Sequence, residues 1–250
     1  MVGFGTIFNI ATILVGTLLG TLLGSKLSEK TSRTVTDSLG LITIVLGGLN
    51  LISLSDKEYV GAVTGPGTFF IVIFAILFGG IIGSLLKIED RLEGFGGWLQ
   101  SRFSKKNQGS ESRQRFITGY VDASLIFAIG PMAILGSISD GTGHGPNTLI
   151  IKAILDGFAC IAFAASLGWG VAASSITVGA WQGFITVVAA FAGAFIPGSM
   201  IAAITATGGV LMLAISIRLL GLKPIAVADM LPALAFAPLL TWLVGVLFGN

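Results

Sequence analysis

Charge is scarce in this chain. Only 10% of its 250 residues are charged, 14 Lys and Arg against 12 Asp and Glu, where a soluble domain carries roughly 25%. With 54% hydrophobic residues and a mean hydropathy of +0.95, this excludes a water-soluble globular domain and leaves a polytopic membrane protein. The formal charge of +2 is too small to suggest a nucleic-acid partner. A lone cysteine, Cys160, lies in an apolar segment and excludes an internal disulfide. A lone histidine, His144, stands in the loop GTGHGPN and reads as a solvated loop residue. HExxH, GxSxG, a zinc-ligand cluster and an ATP-binding motif are all missing, so the sequence lacks the parts for metal-assisted or histidine-based catalysis and for direct coupling to ATP. The opening MVGFGTIFNIATILVGTLLG has neither a charged n-region nor an A-x-A-like cleavage site, and reads as a retained span.

What is present is a series of apolar runs. A helix needs about 20 such residues to cross ~30 Å of hydrocarbon. Eight segments qualify: 4–25, 38–54, 67–86, 116–138, 148–167, 171–196, 200–220 and 225–249. If the N-terminus is outside, the cytoplasmic loops take Lys26, Lys30, Arg33, Lys87, Arg91, Arg102, Lys105, Lys106, Arg113, Arg115, Arg218 and Lys223. That is twelve of the fourteen basic residues, with only Lys57 and Lys152 on or near the other side. Positive-inside bias therefore predicts N-out and C-out.

In the first span Gly16, Gly20 and Gly24 recur four apart on one helix face, a spacing that lets a neighbouring span or subunit approach closely. Asn9 in the same span is a buried amide that needs a partner. The long loop 87–115 opens with IEDRLEGFGGWLQSRF, which puts Ile88, Leu92, Phe95 and Leu99 on one face and predicts an amphipathic helix in the cytoplasmic interface. The following SKKNQGSESRQR reads as a flexible linker. An echo joins the two ends of the chain. With a shift of 173, Asn9 falls on Gln182, Gly20 on Gly193 and Gly24-Ser25 on Pro197-Gly198; with a shift of 168, Gly40 falls on Gly208 and Asn50 on Arg218. If helices 1–3 repeat as 6–8, the odd offset of five spans inverts the second copy. Inverted repeats with broken helices are characteristic of secondary transporters.

Polar residues inside spans concentrate between the two copies. Lys152 and Asp156 are four apart and share a helix face. Asp156 lies ~12 Å into its span by the helical rise, whereas Lys152 is placed to snorkel outward. Gly130-Pro131 interrupts the fourth span and frees backbone carbonyls, and Asp122 lies near the other end of that span. These residues line a path for a solute from Asp140 past Asp156 and the break towards Asp122. The bland alternative is a structural Lys152–Asp156 pair beside a packing kink. Asp229, at the start of the last span, suits a helix-capping role.

The segments FNIATILVGTLLGTLLG, GPMAILGSISDG, KAILDGFACIAFAASLG, GGVLMLAISIRLLGLK and VADMLPAL carry a resemblance that runs over essentially the whole chain. By these segments the chain resembles the YqgA/YdfK-like family of bacterial inner-membrane proteins, a domain of unknown function. The resemblance implies a multi-pass protein of the bacterial cytoplasmic membrane and leaves the activity to be argued from the residues. Asp122 lies outside the quoted segments and ranks below Asp156.

The expected architecture is an all-α integral membrane protein of about eight transmembrane helices. It divides into a first three-helix repeat (1–86), a cytoplasmic amphipathic helix and linker (87–115), a central hairpin of helices 4 and 5 (116–170) and a second repeat (171–250). The expected function is a secondary transporter or permease for a small ion or polar solute, not an enzyme, and no cofactor is implied. Substrate contacts are assigned to Asp156, Lys152, Asn9, Gln182, Gly130, Pro131 and Asp122, and helix packing to Gly16, Gly20 and Gly24. The site is open to a monovalent cation, a divalent metal, an amino acid or a lipid headgroup. Two alternatives stand beside it: a channel formed by oligomerisation across the glycine face, and a non-transporting assembly or sensor protein. The expected partners are the lipid bilayer, the solute and a second copy of the chain.

Overall fold

A computed structural model describes residues 2–26, 28–63, 65–103, 110–192 and 197–248. Among them the protein is all-α. Its helices are α1 Phe4–Gly24, α2 Glu29–Leu51, α3 Lys57–Val63, α4 Gly67–Leu85, α5 Ile88–Phe103, α6 Ser110–Ile129, α7 Pro131–Gly141, α8 Asn147–Leu167, α9 Gly170–Ala192, α10 Gly198–Leu219 and α11 Ala233–Phe248, with 3-10 turns at Ile52–Ser55 and Ala228–Met230. Seven stretches are long and apolar enough to cross a membrane: Phe4–Gly24, Glu29–Ser55, Gly67–Leu85, Asn147–Leu167, Gly170–Phe191, Gly198–Leu219 and Ala228–Leu247. The pair Ser110–Ile129 and Met132–Gly141, bent by 63°, makes an eighth if it is one span. The faces that these helices turn outward are apolar, as with Ile7, Leu14, Leu18 and Leu22 on α1 and Phe69, Phe70, Phe74 and Phe78 on α4. Such belts are unfavourable in water and are what hydrocarbon requires. The protein is a multi-span membrane protein.

Several boundaries differ from those read in the sequence. The second span starts at Glu29, not 38, because EKTSRTVTD continues the helix as a polar prelude that hydropathy does not register. The fourth begins at Ser110, so the end of the expected linker is helical; Lys105 and Lys106 lie outside the described residues. The segment after the second span holds the short helix α3, whose first turn is capped by Asp56. That carboxylate accepts the Glu58 and Tyr59 N–H groups at 3.0 and 3.1 Å. The expected interfacial helix forms as α5 despite its three glycines, and Gly96 has a role in it. A Cβ there would fall 2.7 Å from the Tyr120 ring.

The chain divides into two compact units, 1–39 with 92–194 and 40–91 with 195–250, so two of the three boundaries fall within α2 and α5. In the first unit α1 lies on α8. A Cβ at Gly16, Gly20 or Gly24 would fall on the carbonyls of Gly157, Ile161 or Ala165 respectively. The glycine face is therefore filled by a neighbouring span of the same chain, and the expectation of a subunit interface or pore across it is corrected. The same unit packs α9 against α1, α6 and α7. Between α8 and α9 the chain turns in two residues through Gly168 at φ 77°, which a side chain would strain.

In the second unit α4 lies on α11. Gly79 faces Ala233 and Gly83 faces the Asp229 carbonyl, each with no room for a side chain. Tyr59, Ile71, Ala75, Ala203, Ala233 and Ala237 make a common core, and the Tyr59 hydroxyl donates to the Thr68 carbonyl at 3.1 Å. The role expected of Asp229, capping its own helix, is transferred. Its carboxylate accepts the Glu89 N–H at 2.8 Å and so caps α5. Glu89 in turn pairs with Arg218 and accepts the Ala228 N–H at 2.7 Å.

Candidate functional site

Four residues of the first unit converge on one buried spot. The α1 amide Asn9 donates through Nδ2 to Oε1 of Gln182 on α9 at 3.1 Å, and both side chains are 0% exposed. Asn9 also lies against the Asp156 carboxylate. Asp156 pairs with Lys152 one turn earlier on α8, and the two are 8% and 5% exposed. The Lys152 Nζ stands 5.9 Å from the centre of the Phe127 ring, within range of a cation–π contact. Phe127 is held edge-on to Phe163. Lys152 is thus turned inward to Asp156 and Phe127, which corrects its expected outward snorkelling: the buried carboxylate outweighs the reach to water.

The amide pair is incomplete. Among the described residues Oδ1 of Asn9 and Nε2 of Gln182 have no partner, and turning both amides over would still leave one acceptor and one donor. The hydroxyls of Thr6 on α1 and of Thr186 on α9 are likewise buried without a partner among the described residues. An unmatched buried polar atom costs about 1–3 kcal/mol. These groups lie on the same helix faces as Asn9 and Gln182, so the buried polar atoms are clustered along α1 and α9.

The arrangement follows from local sequence. Asn9, Gly16 and Thr17 share the face of α1 that meets α8 and α9, and the glycines bring the α8 backbone close enough for Asp156 to approach Asn9. α1 runs parallel to α8 and antiparallel to α9. Asn9 meets Gln182 and Ile10 meets Gly179, while Leu14 and Ile176 line one cleft with Thr21, Gly24 and Ala172.

The remaining sequence candidates are placed around this cluster. Gly130 and Pro131 form the break between α6 and α7, with Gly130 extended at ψ 144° and Pro131 opening α7. Asp122 is 1% exposed on α6, five residues before Phe127. Asp140, expected at the outer mouth of the path, is buried with its carboxylate on the Gly5 N–H at 3.0 Å, where it complements the start of α1. His144 sits in an exposed turn beside the Thr142 hydroxyl at 2.8 Å. Thr6 and Thr186 are not among the candidates that the sequence singles out. Their spacing from Asn9 and Gln182, three and four residues along the same faces, was the available signal.

Two bacterial proteins are similar to this chain over nearly their whole lengths. The uncharacterized membrane protein YdfK of Bacillus subtilis (strain 168) is 30% identical over 244 residues, covering 96% of each chain. The uncharacterized protein YqgA of Escherichia coli (strain K12) is 31% identical over 235 residues, covering 93% of this chain and 94% of the other. No solved structure matches. The match to the family runs over residues 4–242, the span that contains every helix of the site, and the chain belongs to the membrane-protein family described as protein of unknown function (DUF554).

Proposed function

We propose that this protein is a secondary transporter or permease of the bacterial cytoplasmic membrane, oriented N-out and C-out, that moves a small ion or polar solute past Asp156. One observation carries the reading: a buried charged pair, Lys152–Asp156, abuts a buried amide pair, Asn9–Gln182, that retains an unmatched donor and acceptor. Ionisable groups inside a membrane are costly and mark solute pathways by default. Asp156 takes a cation or ammonium group, Lys152 balances its charge or takes an anionic group, and the amides take polar atoms of the solute. The break at Gly130-Pro131 supplies a point where α6 and α7 can shift.

The helix pairing supports inverted-repeat character. In each pair of proposed mates the helices pack antiparallel: α1 with α9 through Asn9 and Gln182, α2 with α10 through Gly40 and Leu220 at one end and Asn50 and Met212 at the other, and α4 with α11 through Gly79 and Ala233 and through Gly83 and Asp229. Asn9 and Gln182 are both mates, 173 residues apart, and contacts. A two-fold relation between the copies would pass through that pair, which is where an inverted-repeat transporter holds its solute. Gly193, the proposed mate of Gly20, lies outside the described residues.

Flux into proteoliposomes tests the proposal. Uptake that saturates with solute concentration and is lost in Asp156→Asn supports it. Uptake that rises linearly with concentration points to a pore, and unchanged saturable uptake in Asp156→Asn removes Asp156 from the path.

A further inference from the structure

We infer that a second site in the first unit, away from the polar cluster, holds an anionic phospholipid, with the headgroup phosphate on Arg115 and an acyl chain along α1 and α9. The site is a cleft of about 800 Å³ between the C-terminal half of α1, the start of α6, the end of α8 and the start of α9. Its walls are of two kinds. Leu14, Phe116 and Ile176 are apolar, whereas Thr21, Ser25 and Arg115 are polar. That division suits an amphiphile with a hydrocarbon tail and a charged head.

Arg115 is a built anchor. Its guanidinium donates from Nε to the Ser166 carbonyl at 2.8 Å and from Nη2 to the same oxygen. Ser166 is itself fixed, since its hydroxyl donates to the Ser32 carbonyl at 2.7 Å and meets the Thr36 hydroxyl. A carbonyl orients a guanidinium without cancelling its charge. The ion pairs among the described residues, Lys152–Asp156 and Glu89–Arg218, do not include Arg115. The cleft therefore presents a held, uncompensated cation at the mouth of an apolar groove.

Two neighbours mark the level of the mouth. Trp169 lines the cleft and is half exposed, as an interfacial aromatic would be. Lys26, Lys30, Arg33 and Arg113 are exposed on the adjoining ends of α1, α2 and α6, against Glu29, Asp37 and Glu111 on the same segments. The excess is basic, which favours the anionic headgroups of a leaflet surface. This inference does not depend on the transport reading.

Native mass spectrometry of the detergent-released full chain, offered phosphatidylglycerol and phosphatidylcholine with identical acyl chains, tests it. The expected result is retention of phosphatidylglycerol over phosphatidylcholine by about fivefold or more, the weight of one interfacial basic residue. Arg115→Gln abolishes the preference and Lys223→Gln, which removes an exposed charge outside the cleft, keeps it. Ala173→Trp fills the groove while retaining Arg115 and should reduce binding of both lipids; it decides the matter if Arg115→Gln is not monodisperse. Equal retention of the two lipids, a preference that survives Arg115→Gln, or unchanged binding in Ala173→Trp overturns the inference. Displacement of the lipid by glycerol phosphate at equal concentration overturns it in favour of a plain anion site.

Discussion

Asn9 and Gln182, 173 residues apart in the chain, share a hydrogen bond of 3.1 Å inside a membrane protein, and each keeps one polar atom unmatched. Because both are fully buried, removing either strands the other. Asn9→Leu and Gln182→Leu singly should each cost about 1–3 kcal/mol. The double substitution should recover much of that loss while abolishing solute binding. Thermal unfolding of the four proteins as a double-mutant cycle measures the coupling.

The Lys152–Asp156 pair makes a second, sharper prediction. Lys152→Met leaves a buried carboxylate beside Asn9 and should destabilise by about 3–5 kcal/mol, whereas Lys152→Met with Asp156→Leu should lie close to wild type. The comparison is read from unfolding midpoints in one detergent. If the single and double variants are equally unstable, the charges are not acting as a pair.

Along α1 the glycine face should tolerate nothing larger. Gly16→Ala and Gly20→Ala place a methyl group on the α8 backbone and should each cost about 1–3 kcal/mol by overpacking. Gly183→Ala on α9 points into open space and should be neutral or slightly stabilising, as for any helical glycine. Size-exclusion profiles and melting temperatures distinguish the two classes.

In the second unit, Asp229→Ala removes the cap from α5 and should cost about 1 kcal/mol. The loss should be local. Hydrogen exchange should quicken in the first turn of α5, around Glu89–Leu92, and leave α10 protected; uniform acceleration would show that Asp229 holds more than that helix end.

The spans were legible because crossing hydrocarbon demands a long apolar run, a constraint visible residue by residue. Glycine spacing marks the close-packing face of α1, and Asn9 stands out in the sequence as a buried amide in need of a partner, which Gln182 supplies. What stayed hidden depends on long-range partners. Nothing local shows that Gly16 faces Gly157 and not another subunit, that Asp229 caps α5, or that Glu89 meets Arg218. Hydropathy also passes over polar helix, which is why α2 and α6 begin before their apolar runs and why the short α3, capped by Asp56, leaves no trace in it.

The central claim, that Asp156 and the amide pair bind a solute, is tested most directly by thermal stability of the purified protein against a panel of monovalent and divalent cations, amino acids and small organic acids, with Asp156→Asn run beside wild type. A ligand at 100 times its dissociation constant adds about 2.7 kcal/mol to the folded state. The account predicts that one class of compound raises the melting temperature of wild type and leaves Asp156→Asn unmoved. If no compound shifts wild type and Asp156→Asn is merely less stable, the four residues are a structural knot and the transport reading is contradicted.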